Sequence, residues 1–146
     1  MNVEIRNAEL SDMSDVFSLV NQLAAYERAA EEVTTSASVY ERDFAEKKFD
    51  VIVAVHEQKI IGMALYYIAY STWKGNYLWL EDFVVNENYR GKGVGKLLFE
   101  EIIRLSKNYN AFFKWQVLDW NEPAISFYHR YGFEVQKEWL TCKLRV

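Results

Sequence analysis

The chain has 146 residues, 51% of them hydrophobic, with five Trp, ten Tyr and nine Phe, which is enough for one domain with a substantial core. A formal charge of −4 argues against a nucleic-acid-binding surface, and a single cysteine, Cys142, excludes an internal disulfide and a cysteine metal cluster. The sequence shows no secretion signal and no apolar run long enough to span a bilayer, so we expect a soluble, cytoplasmic protein without a membrane partner.

The first half of the chain predicts a strand, two helices and a hairpin. Apolar residues three and four positions apart indicate a helix that begins at Ser11 or Asp12. Two β-rich runs separated only by Glu57 and Gln58 are typical of a hairpin. The predicted elements are a strand at 3–6, a helix at 11–28, a loop at 29–36, a helix at 37–47 and strands at 50–56 and 59–71.

The second half alternates strands and helices. Asn121 with Pro123 in the first turn predicts the start of a short helix, and Gly132 is typical of its end. The element order favours an α/β (α+β) fold with a mixed sheet whose central strands form a meander. The remaining predicted elements are a strand at 77–85, a helix at 94–107, a strand at 111–118, and one bent or two short strands at 133–144.

A glycine-rich loop, Arg90 to Gly95, joins the predicted strand at 77–85 to the following helix. It is not a Walker loop, because Leu97 stands where a magnesium-binding Ser or Thr is required after Gly95 and Lys96. It is not a dinucleotide fingerprint either, because its third glycine comes four rather than five residues after the first. Consecutive amides at a helix N-terminus, with Arg90 or Lys92, predict a pyrophosphate site.

Four segments together resemble one known family. The order and spacing of these segments are similar to the Gcn5-related N-acetyltransferase (GNAT) superfamily, and within it to the diamine branch that contains spermidine/spermine and thialysine N-acetyltransferases. The resemblance implies a GNAT fold, with a mixed, mostly antiparallel sheet of six to seven strands and about four helices. It also implies a splay between the strands at 77–85 and 111–118, and a homodimer. The segments are LAAYE at 23–27, YLWLEDF at 77–83, YRGKGVG at 89–95 and WNEPAISFYHRYGF at 120–133.

The resemblance also implies a role for individual residues toward acetyl-CoA and an amine. Asn121 is expected to meet the pantetheine arm, and Tyr128 to lie beside the thioester sulfur. The pantetheine is expected against the backbone of Phe83, Val84 and Val85. The pyrophosphate site comprises Arg90, Gly91, Lys92, Gly93, Val94, Gly95 and Lys96. The amine pocket comprises Tyr26, Glu27, Glu81 and Asp82, with Trp115 at its wall.

Two residues are predicted to move protons. An alkylammonium of pKa about 10.4 must lose a proton before it attacks, and Glu81 lies in an apolar run where burial raises a carboxyl pKa. Strand alternation directs Glu81 and Asp82 to opposite faces unless a bulge intervenes. We therefore assign Asp82 to a second ammonium or a structural hydrogen bond. Tyr128 is expected to protonate the departing thiolate, and no metal is needed.

The leading hypothesis is acetyl transfer from acetyl-CoA to the primary amine of a small di- or polyamine or a thialysine-like amino acid, by direct attack in a ternary complex. Ser71, where many spermidine/spermine enzymes carry an acid, favours the thialysine branch. Two alternatives stay open: acetylation of a protein N-terminus or lysine, and a regulatory module that binds acyl-CoA without turnover. The whole chain, 1–146, is expected to form a single N-acetyltransferase domain.

Overall fold

The computed structural model describes residues 1–146 and divides them into two compact units, Met1–Gln116 and Val117–Val146. None of the helices has the length and apolar character of a membrane span. The first unit contains β1 (Glu4–Asn7), α1 (Met13–Tyr26), α2 (Ala37–Ala45), β2 (Asp50–His56), β3 (Lys59–Ser71), β4 (Gly75–Val85), α3 (Val94–Ser106) and β5 (Phe113–Lys114), and the second contains α4 (Glu122–His129). Short 3-10 turns lie at Leu10–Asp12, Ala30–Glu32 and Glu87–Tyr89.

One five-stranded mixed sheet organises the first unit. Its order is β1-β2-β3-β4-β5, with antiparallel pairing from β1 to β4 and parallel pairing of β4 with β5. The bounds of β2 and β3 coincide with the predicted hairpin, because both strands are rich in β-branched and aromatic residues and meet at a tight turn. The predicted meander of central strands is therefore confirmed.

Helices cover both faces of this sheet. The face that packs against α1 carries a buried apolar cluster, and α3 packs on the other face, where Phe99 lies 5.6 Å from Phe83 between ring centroids. At the N-terminal end of α1, Arg6 forms a bidentate ion pair with Asp12, at 2.7 and 3.1 Å. The buried cluster on the α1 face consists of Met13, Val16, Leu19, Val51, Val53, Met63, Leu65 and Val84.

The sheet is smaller than predicted. Five strands are present rather than six to seven, the strand expected at 111–118 is reduced to Phe113–Lys114, and residues 133–144 contain no strand. Alternating apolar residues become a strand only where a neighbouring backbone pairs with them, and the side chains of Trp139, Leu140 and Leu144 are exposed here. The alternation of apolar and polar residues at 111–118 and 133–144 is therefore not sufficient to form full strands.

A β-bulge interrupts the pairing of β3 with β4 beside the two carboxylates. Leu65 pairs with Asp82, while the next residue, Tyr66, pairs with Leu80. Glu81 is therefore the extra residue of the bulge. An extra residue breaks the alternation of side chains between the two faces, so the faces reached by Glu81 and Asp82 cannot be inferred by counting along the strand.

Candidate active site

The bulge places Glu81 and Asp82 on the same face of the sheet. Asp82 lies opposite Leu65, which belongs to the cluster under α1. Trp79 lies opposite Tyr67, two residues beyond Leu65 and therefore on that same face. The indole Nε1 of Trp79 donates a hydrogen bond to Glu81 Oε2 at 2.7 Å, which brings the Glu81 carboxylate to this side. The opposite faces expected from regular alternation therefore do not apply, because the bulge, the one exception to that expectation, is present.

Asp82, rather than Glu81, is the desolvated carboxyl group. Burial, together with the negative charges of Glu81 and Glu27, raises the pKa of Asp82 from its ordinary value of 3.8 to about 6. Glu81 is exposed, since the bulge turns its carboxylate toward solvent and the Trp79 indole. The premise that Glu81 lies in buried surroundings is therefore corrected, and the half-buried carboxyl is its neighbour Asp82.

Glu27 completes a group of three carboxylates. It is the C-cap residue of α1 and is half-buried, and burial raises its pKa above the ordinary 4.5. Its charge acts on Asp82, although the two residues are 55 positions apart in the sequence. Two carboxylates whose charges raise the pKa of a third form with it an anionic environment, which favours the binding of a cation.

Tyr40 is a member of this site that the sequence did not single out. Its ring is held by edge contacts with Phe17 at 5.2 Å and Phe49 at 5.7 Å, and it packs against the apolar cluster of the α1 face. Burial, together with the charges of Asp82 and Glu81, raises the pKa of Tyr40 to about 12. No local pattern reveals this neighbourhood, because it arises from the packing of α2 beside the bulge.

The glycine-rich loop forms an open cradle of amides. Gly93 is the N-cap of α3 with φ +85°, and Gly91 has φ +72°, so both adopt the left-handed region that glycine favours. The first hydrogen bond of α3 runs from the Leu97 amide to the Gly93 carbonyl, at 3.2 Å. The amides of Val94, Gly95 and Lys96 therefore precede the helical hydrogen-bond ladder and face an open helix end, as in anion sites.

The two basic side chains of the loop are held against the protein. Arg90 Nε donates to the Val85 carbonyl at 2.9 Å, and the guanidinium lies 5.0 Å from the centre of the Tyr26 ring. Lys92 Nζ donates to the Asn88 carbonyl at 3.0 Å and lies over the Tyr89 ring. Tyr26 therefore contacts the glycine-rich loop through Arg90. The next residue in the sequence is Glu27, one of the three carboxylates.

β5 and Trp115 lie beside β4, and Trp115 lies on the face of the sheet that packs against α3. β5 pairs with β4 at Leu78 and Trp79, and the Val85 carbonyl at the end of β4 accepts from Arg90 Nε. Trp115 stacks on Phe113 at 5.1 Å and meets Phe99 of α3 edge-on at 5.7 Å. Trp115 therefore packs on the α3 face, opposite the face that carries the three carboxylates.

The second unit contains the last two predicted site residues. Asn121 is the N-cap of α4 and accepts a hydrogen bond from the Ala124 amide at 3.4 Å, as predicted from the sequence. Tyr128 is only 5% exposed, with edge contacts to Phe127 at 5.5 Å and Phe133 at 6.1 Å. No group of three or more His, Cys, Asp or Glu side chains is arranged to hold a metal ion.

Comparison with known proteins identifies the class to which this fold and site belong. The sequence profile of the acetyltransferase (GNAT) family matches residues 14–133. An aminoglycoside acetyltransferase from an uncultured soil metagenomic sample has the same fold, with a TM-score of 0.80 at 19% identity over 98% of this chain and 97% of that one. The fold is therefore the GNAT acetyltransferase fold, with a mixed five-stranded sheet and four helices.

The relatives most informative about the reaction are N-acetyltransferases of known name. Thialysine N-epsilon-acetyltransferase from Mus musculus is 32% identical over 97% of this chain and 92% of its own length, and the Bos taurus protein is 33% identical over 89% and 83%. Spermidine/spermine N(1)-acetyltransferase-like protein 1 from Homo sapiens is 30% identical over 88% of this chain but only 20% of its own length. The chain belongs to the acetyltransferase (GNAT) family, and it is an N-acetyltransferase of amine substrates.

Proposed function

We propose that the protein transfers the acetyl group of acetyl-CoA to the primary amine of a small di- or polyamine or a thialysine-like amino acid. The observation that carries this proposal is the convergence of Glu27, Glu81 and Asp82 on one face of the sheet. An alkylammonium is small and cationic, so it matches a partly buried group of carboxylates. The names of the mouse and bovine relatives support the same substrate class.

The residues around the glycine-rich loop fit acetyl-CoA as the donor. The open amides at the start of α3 suit the pyrophosphate, and a Cβ built at Gly91 or Gly93 would meet no atom within 4 Å, so a ligand has room to approach. For Asn121 beside the pantetheine and Tyr128 beside the sulfur, the support is the resemblance to the family. For the backbone of Phe83, Val84 and Val85 beside the pantetheine arm, the support is likewise the resemblance to the family.

In the proposed mechanism the ammonium binds among the three carboxylates and transfers a proton to Asp82. Burial and the charges of Glu27 and Glu81 favour the neutral form of Asp82, which therefore accepts the proton more readily than an ordinary aspartate. The neutral amine attacks the thioester carbonyl, whose oxygen is polarised by the amide near Phe83. The C–S bond then breaks as Tyr128 protonates the thiolate, and the nitrogen of the new amide releases its remaining extra proton, which returns to the Tyr128 phenolate through solvent. This replaces Glu81 by Asp82 as the proton acceptor and leaves Glu81 to attract the ammonium.

The pH dependence of kcat/KM for the amine tests this assignment. Asp82 with a pKa of about 6 is ionised above pH 6 and protonated below it. We expect kcat/KM to be constant from about pH 7 to pH 9, where the ammonium and the ionised carboxylate coexist, and to fall about tenfold per pH unit below pH 6. A value that stays constant down to about pH 5 would exclude an essential carboxylate with this pKa.

Residues 71–75 bear on the choice among amines. Ser71 Oγ accepts hydrogen bonds from the backbone amides of Trp73 and Lys74, both at 3.2 Å, so its hydroxyl is engaged in the turn between β3 and β4. The turn therefore offers no carboxylate to the far ammonium of a long polyamine. We propose that a thialysine-like amino acid or a short diamine is preferred over spermine.

A panel of acceptors tests the substrate class. Thiol release from acetyl-CoA is measured with thialysine, short diamines, spermidine, spermine and a lysine-containing peptide. We expect the highest kcat/KM for thialysine or a short diamine and the lowest for the peptide. A peptide preferred over every small amine would favour a protein acetyltransferase instead, and tight acetyl-CoA binding without turnover would favour a regulatory module.

The remaining features of the proposal rest on the sequence and on the family resemblance. We propose one N-acetyltransferase domain over 1–146, a homodimer, and function in the cytoplasm. We also propose reaction in a ternary complex.

A further inference from the structure

Two side-chain contacts join the end of α1 to residues 86–90, which follow β4. Asn86 Nδ2 donates to Gln22 Oε1 at 3.3 Å, and the Arg90 guanidinium lies over the Tyr26 ring at 5.0 Å. Gln22 and Tyr26 are four residues apart and therefore share one face of α1. These residues line an open groove. The last turn of α1 is thus held by the segment that leads into the glycine-rich loop.

Arg90 is fixed at both of its contacts. Its Nε donates to the Val85 carbonyl at the end of β4, which orients the plane of the guanidinium, while the face of that plane meets Tyr26. A guanidinium stacked on an aromatic ring still presents N–H groups at its rim. Arg90 is therefore able to bind a phosphate oxygen without leaving Tyr26, and a bound phosphate would further restrict its orientation.

The residue after Tyr26 is Glu27, one of the three carboxylates of the amine site. Glu27 is the C-cap of α1, and the chain turns immediately afterwards through Arg28, which has φ +60°. The position of the Glu27 carboxylate therefore depends on how the last helical turn is held. Its charge acts on Asp82, so a displacement of this turn changes the electrostatic field at that half-buried carboxyl group.

We propose that Arg90 is a positioning residue for the amine site, because its contact with Tyr26 holds Glu27 beside Asp82 and so couples the acetyl-CoA loop to amine binding. The inference rests on the proposed function and extends it by linking its two substrate sites. Coupling of this kind is reciprocal, so a bound CoA tightens the amine and a bound amine tightens CoA by the same factor.

A double-mutant cycle tests the coupling. The variants are Arg90→Ala, Tyr26→Leu and their combination, with the KM of each substrate measured at saturation of the other. We expect Arg90→Ala to raise the KM of the amine about two- to fivefold, the effect of losing one exposed cation–π contact. In the Tyr26→Leu background the same substitution should leave the amine KM unchanged, while its effect on the acetyl-CoA KM persists.

Two further variants separate the contact from general structural damage. Tyr26→Phe keeps the aromatic ring, so the dependence of amine KM on Arg90 should persist in it. Lys47→Ala removes a comparable stack, in which Lys47 lies 5.5 Å from the Phe44 ring, and should leave the amine KM unchanged. Two results would overturn the inference. In one, Arg90→Ala does not change the amine KM of the wild type. In the other, Arg90→Ala changes the amine KM by the same factor in the wild type and in Tyr26→Leu.

Binding titrations separate failure of the coupling from failure of the proposed function. The affinity for thialysine is measured by calorimetry with and without CoA. We expect CoA to tighten thialysine about two- to fivefold in the wild type and in Tyr26→Phe, but not in Tyr26→Leu. Tightening that is the same in Tyr26→Leu overturns the coupling and leaves the proposed function standing. Absence of both binding and turnover with every small amine contradicts the proposed function itself, and the inference with it.

Discussion

Replacement of Tyr128 by phenylalanine is expected to lower kcat about 100-fold or more, because the thiolate then leaves without a positioned proton donor. The ring that packs against Phe127 and Phe133 is retained, so the fold should be preserved. The measurement is thiol release at saturating acetyl-CoA and amine, together with thermal unfolding of both proteins.

A matched control lies on the same segment. Tyr131→Phe removes a phenol hydroxyl three residues away, on a ring that also contacts Phe127, and should leave kcat close to the wild-type value. If Tyr128→Phe retains full kcat, Tyr128 is not the proton donor, and the role that the family resemblance implies for it does not apply to this chain.

Asp82→Asn is expected to lower kcat/KM for the amine about 100-fold, while the folded state becomes more stable. A carboxyl group whose pKa rises from 3.8 to about 6 on folding binds more protons in the folded than in the unfolded state between these pH values. The free energy of unfolding therefore falls by about 3 kcal/mol as the pH rises through this window. A neutral amide avoids this cost at pH 7. Denaturant unfolding and steady-state kinetics at pH 7 measure both effects.

Glu81→Gln provides the comparison that separates the two proton-acceptor assignments. Glu81 is exposed, so removing its charge should weaken amine binding severalfold and leave the decline of kcat/KM below pH 6 in place. Asp82→Asn should abolish that decline. The opposite result, a large loss in Glu81→Gln and a small one in Asp82→Asn, would restore Glu81 as the proton acceptor and reject Asp82.

Much of the fold follows from local sequence patterns. The bounds of β2 and β3 agree with the prediction, and α3 ends within one residue of it, because alternation and helical periodicity are strong over these segments. The cap at Asn121 was predicted for the same reason, since an Asn followed closely by Pro satisfies local backbone requirements. These features depend on neighbours within a few residues.

The features that the sequence did not reveal depend on distant neighbours. The strand predicted at 133–144 needed a paired backbone, and alternation alone does not supply one. The bulge at Glu81 depends on the register between β3 and β4, which the residues of β4 do not encode. The burial of Asp82 follows from that bulge and from the packing of α1 and α2. The apolar run alone therefore indicated burial of Glu81, whereas the structure exposes Glu81 and half-buries Asp82.

The central claim is acetyl transfer to a small cationic amine, and acetyl-CoA carrying a labelled acetyl carbon tests it most directly. The enzyme is incubated near neutral pH with the labelled donor and thialysine, and both products are quantified. We predict one N-acetylated, labelled amine for each CoA thiol released, with nearly all of this product lost in Asp82→Asn. Thiol release without labelled amine, or no turnover with thialysine, short diamines and spermidine although acetyl-CoA binds, would contradict the claim.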